Sequence, residues 1–355
     1  MTPGGGIDDG AAVELLRALC DIPSVSGDEA AAVAFMVERA ASAGMEASVD
    51  EAGNFVAIRG RGEPTIVLLG HIDTVDGFIP ARVEAGVLHG RGAVDAKGPL
   101  ATFLVATSRM RSQGDGTVVI VGAVEEEAPS SKGAHFVVGR YAPAFAVIGE
   151  PSGVEAVTLG YKGRVNFALD GARPRAHSAG ATRSVAREAV AFWAEAERFC
   201  DAFNQDRSIF ARIDPHLESF DTETDGFEDR VALRGSFRLP EDAPVAGLER
   251  ALTARAAGWG RLTLHDRTPA YRVGKRNALV RAFLPAIRAR GLEPRFTLKT
   301  GTSDMNVVGP AWQCPIVAYG PGDSRLDHAP KEQVRVEEYL AAIDVMATVV
   351  EKLMG

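Results

Sequence analysis

Apolar residues recur at helical spacing over residues 11–19 and again over 29–44, where Gly44 closes the run. Three short β-like runs follow at 47–49, 55–58 and 65–69, and then a helical pattern over 99–113 that stops at Gly114. Residues 117–123, 145–148 and 315–319 are compact apolar runs, and 336–353 returns to helical periodicity. Strands that are apolar throughout are buried on both faces. Alternating with helices, they predict an α/β fold whose sheet is covered on either side.

The middle of the chain has a different rhythm. Residues 161–267 read as strand, helix, strand, strand, helix, strand, with β-like runs at 165–169, 231–239 and 261–265 and helical runs at 184–204 and 245–257. This order predicts a separate α+β module inserted into the α/β domain. At 355 residues the chain is longer than one core comfortably fills, which also points to two domains. The expected division is 1–160 together with 268–355, and 161–267 between them.

The candidate chemistry is positional. In open α/β sheets, ligands gather beyond the carboxyl ends of the strands. Four apolar strands are each followed by metal-competent residues: Gly70-His71-Ile72-Asp73, Glu125-Glu126-Glu127, Gly149-Glu150-Pro151 and, after a Gly-Pro-Gly turn, Asp327-His328. If these strands share one parallel sheet, all four clusters lie on one rim. Acids so gathered repel one another unless cations intervene, and mixed imidazole and carboxylate donors suit zinc and related metals. His71-x-Asp73 puts both side chains on the same side of an extended segment, so that Asp73 can accept from the second ring nitrogen of His71. Gly90-Arg91-Gly92-Ala93-Val94-Asp95-Ala96-Lys97-Gly98 ends a turn and opens a helix, where Asp95 can offer one oxygen to each of two metals.

Charge and cysteine content narrow the class. A net charge of −8 argues against nucleic acid as the main partner. Cys20, Cys200 and Cys314 form no pair motif, so a reducing compartment is expected rather than a disulfide framework. Residues 1–10 are Gly-rich and acidic, unlike a signal peptide, and no apolar run is long enough for a membrane span. The expectation is a soluble cytoplasmic protein.

Taken together, the His71 and Asp95 segments, the Glu126-Glu127 pair, Gly149-Glu150-Pro151-Ser152 and Thr300-Gly301-Thr302-Ser303-Asp304 resemble the M20 metallopeptidase family, in order, from about residue 11 to the end. The resemblance implies a zinc-peptidase-like catalytic domain with an inserted lid and dimerisation domain, in a homodimer. It implies two divalent metal ions, Zn2+ with Co2+ able to substitute. His71 and Glu150 would be ligands of one metal, Glu127 and His328 of the other, and Asp95 the bridge. Glu126 would be the general base, with Glu125 as base and Glu126 as ligand the shifted alternative. Asp73 would orient His71. His177 would stabilise the oxyanion across a dimer interface. Arg238 would hold a substrate carboxylate, and Thr302, Ser303 and Asn306 would contribute to the substrate rim.

Residues 123–133, Gly160-Tyr161-Lys162-Gly163-Arg164 and residues 300–306 are similar to the branch that releases lysine or ornithine from the terminal γ-carboxyl of a small acidic amino-group carrier protein, with N-acetyl-lysine and N-acetylornithine as related substrates. Lys162, Arg164, Arg173, Arg175, Arg183 and Arg187 could form a basic patch that steers such a carrier, or simply a solvated face. The rival readings are a dipeptidase, carboxypeptidase or succinyl-diaminopimelate desuccinylase of the same family. From other classes come a catalytically silent binding protein of this fold and a metal-free serine hydrolase, for which Ser130, Ser131 and Ser303 lack a nucleophile-elbow pattern.

Overall fold

The computed structural model describes residues 6–111, 116–177 and 183–355. The chain forms two compact units. One comprises residues 1–160, 272–298 and 303–355; the other comprises 161–271 and 299–302.

The larger unit is built on a mixed sheet. Its four central strands are Thr117–Ala123, Thr65–His71, Phe145–Gly149 and Ile316–Ala318, in that spatial order, and each neighbouring pair is parallel. These are the strands that the sequence follows with acids and histidines. Antiparallel strands flank them: Phe55–Gly60 lies beside Thr117–Ala123, and Ala156–Tyr161 beside Ile316–Ala318. The central strands are buried nearly from end to end, as their uninterrupted apolar runs require.

Helix Lys97–Ser108 is buried along its whole length. Two of three aligned glycines let it seat closely. Gly122, Gly70 and Gly149 stand side by side in register across three parallel strands. A Cβ on Gly122 would lie 2.9 Å from Leu100 Cδ2, and one on Gly149 would lie 2.8 Å from Phe103 Cε2. This row lies one residue before His71 and Glu150, and the helix begins two residues after Asp95. The close approach therefore sets the depth of the aspartate against the strand ends.

Helix Val336–Met354 buries Tyr339, Ile343, Met346, Val349 and Val350 in the same core. Several elements escape the sequence pattern, among them helices Lys132–Val138, Ala278–Ala289 and Asp304–Trp312. Pro285 and Pro310 lie inside the last two helices, and proline ordinarily reads as a helix stop. Among the described residues, no helix is long and apolar enough to cross a membrane.

The smaller unit is a four-stranded antiparallel sheet in the order Asp214–Thr224, Glu228–Leu239, Gly163–Pro174, Gly260–Thr268. One face carries Val165, Phe167, Leu169, Val231, Leu233 and Phe237, packed with Phe192, Leu248 and Leu252 of helices Val185–Asn204 and Val245–Ala256. Ser184 caps the first of these helices, accepting from the Arg187 N–H. The intervening positions of Gly163–Pro174 face away from that core, giving strict alternation of burial from Gly163 to Leu169.

Candidate metal centre

His71 ends its strand, and its Nε2 lies 3.2 Å from Asp95 Oδ1. His328 Nε2 lies 3.1 Å from the other oxygen, Asp95 Oδ2, and 3.0 Å from Glu127 Oε1. One carboxylate thus shows each of its oxygens to a different imidazole. Adjacent donors around a tetrahedral ion with legs of about 2.1 Å are separated by roughly 3.4 Å, so these distances fit shared cations as well as hydrogen bonds. Ligand atoms of His71, Asp95 and Glu127 lie within 4.8 Å of one another. Glu150 is buried at the end of the neighbouring strand. Burial, followed by the charge of Asp95, pushes its carboxyl well above the usual range.

Asp73 ties the acids to the histidine. Its Oδ1 accepts from the Glu126 N–H at 3.1 Å, and its Oδ2 accepts from the Glu127 N–H at 2.9 Å and from Ser26 Oγ at 2.7 Å. Burial works to raise this carboxyl, but the bonds from His71, Ser26 and Glu127 outweigh it and hold it below its ordinary value. The expected contact with His71 is shared: Nδ1 lies 3.0 Å from the Asp73 carbonyl oxygen and 3.4 Å from its carboxylate. Both contacts fix the ring so that Nε2 faces the cluster.

The three glutamates are sorted by geometry. Glu125 has a left-handed backbone, φ +57°, and turns its carboxylate to Ser130 Oγ at 2.7 Å and Lys132 Nζ at 3.4 Å. Glu127 meets His328. Glu126, half-buried between them, has its carboxyl pushed well above the usual range by lost solvation first and then by Glu150, Asp304 and Glu127, against the pull of His71.

Two buried acids carry no expectation from the sequence. Glu332 is 1% exposed. Its Oε1 accepts from the Val94 and Asp95 N–H groups at 2.9 and 3.0 Å, and its Oε2 pairs with Arg91 at 2.8 Å. It therefore grips the backbone that presents Asp95. Its only signal in the sequence is a glutamate four residues after His328, which does not by itself say which backbone it would reach. Glu332→Ala is expected to weaken metal affinity roughly 10- to 100-fold, with Glu332→Gln recovering part of the loss through its remaining oxygen. Competitive chelator titration measures both, and unchanged affinity in the alanine variant would exclude this role. Asp304 begins helix Asp304–Trp312 fully buried, its Oδ1 without a hydrogen-bond partner, and burial pushes its carboxyl up to about 7.

The remaining expected residues show the following local contacts. Ser303 and Asn306 form a capping box at the start of helix Asp304–Trp312: Ser303 Oγ accepts from the Met305 N–H and Asn306 Oδ1 from the Ser303 N–H. In the smaller unit, Arg238 donates to Thr302 Oγ1 at 3.2 Å. His177 lies exposed in a loop. The motif that singled it out continues into residues 178–180, which lie outside the described residues. Lys162 is not part of a surface basic patch. It is fully buried, with its Nζ 2.5 Å from Asp214 and donating to the Arg212 carbonyl.

The donor set fits divalent cations, and pH should reveal them. Stripped of cations, the folded protein holds His328 charged between Asp95 and Glu127, which push its pKa up to about 10. A histidine raised in this way stabilises fully below its unfolded value of 6.5 and loses that contribution as pH rises through 10. Glu126 and Glu150, raised above 4.5, cost stability increasingly once pH exceeds that value. Both signs agree. The Tm increase on adding Zn2+ to chelator-stripped protein should therefore grow from pH 6.5 upward. An increase that shrinks over this range would contradict the assignment.

Over 363 aligned residues, covering 100% of both chains, the sequence is 44% identical to a protein of Deinococcus radiodurans called "[LysW]-lysine hydrolase". It is 27% identical to the "[LysW]-lysine/[LysW]-ornithine hydrolase" of Saccharolobus solfataricus, covering 96% of each. Its fold is similar to that of a tripeptidase from Staphylococcus aureus, with a TM-score of 0.81 at 18% identity over 99% of this chain and 100% of the other. Residues 67–352, which carry His71, Asp95, Glu127, Glu150 and His328, match the family model, and the chain belongs to peptidase family M20/M25/M40.

Proposed function

We propose that this protein is a two-metal amide hydrolase that releases lysine, ornithine or both from an acidic amino-group carrier protein, with the corresponding N-acetyl amino acids as minor substrates. The observation that carries the chemistry is Asp95, whose two oxygens face two different histidines. The substrate class is supported by the 44% identical relative, whose name specifies lysine on a carrier.

His71 and Glu150 would hold one cation, Glu127 and His328 the other, and Asp95 both. Zn2+ suits this mixed nitrogen and oxygen set, with Co2+ a competent substitute. Bound there, such a pair supplies Lewis-acid polarisation of an amide carbonyl and a water that ionises near neutral pH. The rest falls to the chain itself. Asp73 and Glu332 hold the ligand segments in place. Glu126 takes the proton of the attacking water on its carboxylate and delivers it to the departing amine; a base whose pKa is raised well above the ordinary carboxylate range suits both transfers. Arg238 holds the carboxylate of the amino acid, with Thr302 orienting its guanidinium. His177, contributed within a homodimer, donates to the carbonyl oxygen as it gains charge. The engagement of Glu125 with Ser130 and Lys132 supports Glu126 as the base. The capping role of Ser303 and Asn306 leaves Thr302 as the best supported of the three rim residues.

The test is turnover by Zn2+- or Co2+-loaded enzyme on carrier-linked lysine, carrier-linked ornithine, their N-acetyl analogues, a dipeptide panel and succinyl-diaminopimelate. The expected order places a carrier-linked substrate first in kcat/KM. A dipeptide or succinyl-diaminopimelate ahead of all four amino-acid conjugates would overturn the proposal.

A further inference from the structure

We infer that Arg164 joins Arg238 in a two-arginine carboxylate site on the helix-free face of the smaller unit's sheet. The inference rests on the proposed function and deepens it, since it adds a second cation to the recognition of the substrate's carboxylate.

Strands Gly163–Pro174 and Glu228–Leu239 pair so that Arg164 lies directly opposite Arg238, one step beyond the core pair Val165 and Phe237. Side chains alternate across a sheet, so both arginines project from the face opposite helices Val185–Asn204 and Val245–Ala256. Cross-strand partners stand about 5 Å apart at Cβ, and like charges there repel unless something neutralises them.

Elsewhere on these strands the arginines are matched. Arg234 meets Asp170 at 2.6 Å, and Arg230 meets Asp225 and Glu228 at 2.9 and 2.8 Å. Arg164 differs: its Nε is shielded from solvent and has no hydrogen-bond partner. A buried guanidinium N–H left unpaired is costly, and such atoms mark a missing acceptor. The nearby acid, Asp266, feels the charge of Arg164 but spends its hydrogen bonds on His265 Nδ1 at 2.7 Å and Asn166 Nδ2 at 3.1 Å, not on the Arg164 Nε.

The other arginine is already oriented. Arg238 Nη1 donates to Thr302 Oγ1, which fixes the direction of its fork. On the far side of Arg164, Thr268 stands opposite it in the strand Gly260–Thr268. Two planar forks on neighbouring strands suit a carboxylate, which offers two oxygens and spreads one charge between them. An amide or ester at that position would accept roughly half as strongly and carry no charge. The ligand assigned to this pair is the free α-carboxylate of the amino acid being released, which leaves its amino group available to carry the scissile amide.

The test compares Nα-acetyl-lysine with Nα-acetyl-lysinamide, which lacks the carboxylate. Wild-type enzyme should prefer the free acid in kcat/KM. Arg164→Ala should reduce that preference roughly 10- to 100-fold, mainly through KM for the acid, with Arg164→Lys retaining part of it. Arg261→Ala, on the same sheet but exposed and distant in register, serves as the control and should leave the preference unchanged. A loss in Arg164→Ala that falls equally on acid and amide, or no loss at all, would overturn the inference. If the wild-type enzyme hydrolyses neither compound, the proposed function fails instead. Calorimetric titration with lysine against lysinamide then decides the site alone: tighter binding of lysine by wild type than by Arg164→Ala supports it, and equal binding overturns it.

Discussion

Glu126→Gln is expected to lower kcat by about three orders of magnitude, within the range that positioned acid–base groups supply. The amide keeps the size of the side chain and removes its capacity to accept a proton. Glu126 contributes only its backbone N–H to the Asp73 network, and the His328 contact belongs to Glu127, so the ligand set is left whole. The signature is thus a dissociation of two measurements: turnover collapses while metal content by elemental analysis stays at the wild-type ratio. Turnover within a few fold of wild type would move the base elsewhere. Glu125→Gln is the companion experiment and should change kcat far less, because that carboxylate is spent on Ser130 and Lys132.

Asp95→Asn carries the other large effect. An asparagine retains one carbonyl oxygen and replaces the other with an amino group that cannot ligate a cation. Since Oδ1 serves His71 and Oδ2 serves His328, one of the two neighbourhoods must lose its shared oxygen. The expected result is close to one tightly held metal per chain in place of two, with kcat down by about a thousandfold or more, equivalent to ~4 kcal/mol of barrier. Metal stoichiometry after dialysis measures the first part and steady-state kinetics the second. A variant that keeps two tightly held ions would show that the aspartate does not bridge. The side chain is nearly buried between two histidines, and burial opposes its charge while hydrogen bonds from His328 and His71 hold its carboxyl far below the usual range. The variant should therefore also lower the pKa of His328.

Much of this site is legible in the sequence because its residues follow strands whose apolar runs are unmistakable. Four such strands stand together and parallel, and register alone carries His71 and Glu150 to one rim. What escapes the sequence is the scaffolding that acts through the backbone. Glu332 holds Asp95 by two amide protons, and nothing in the spelling of a loop glutamate announces which amides it will reach. Lys162 misleads in the opposite direction. Written beside arginines it suggests a charged surface, yet its aliphatic stem and the carboxylate of Asp214 carry it fully inside. Ser303 and Asn306 show a third limit. Their spacing satisfies a helix cap as readily as a binding rim, and local hydrogen bonding is the use visible in the fold.

Gly122, Gly70 and Gly149 also bear on how the protein can be engineered. Consensus thermostabilisation favours replacing strand glycines with alanine or valine, since these residues suit extended chain better. At Gly122 and Gly149 an added methyl would act as a wedge under Leu100 and Phe103, whereas at Gly70 it would only touch Leu100. Tilting that helix would draw the aspartate ahead of it out of line with the imidazoles by a distance that cations of fixed radius do not forgive. Variants altered at Gly122 or Gly149 should thus melt earlier and hold their metals less tightly, and searches for robust forms of the enzyme do better to leave this layer untouched.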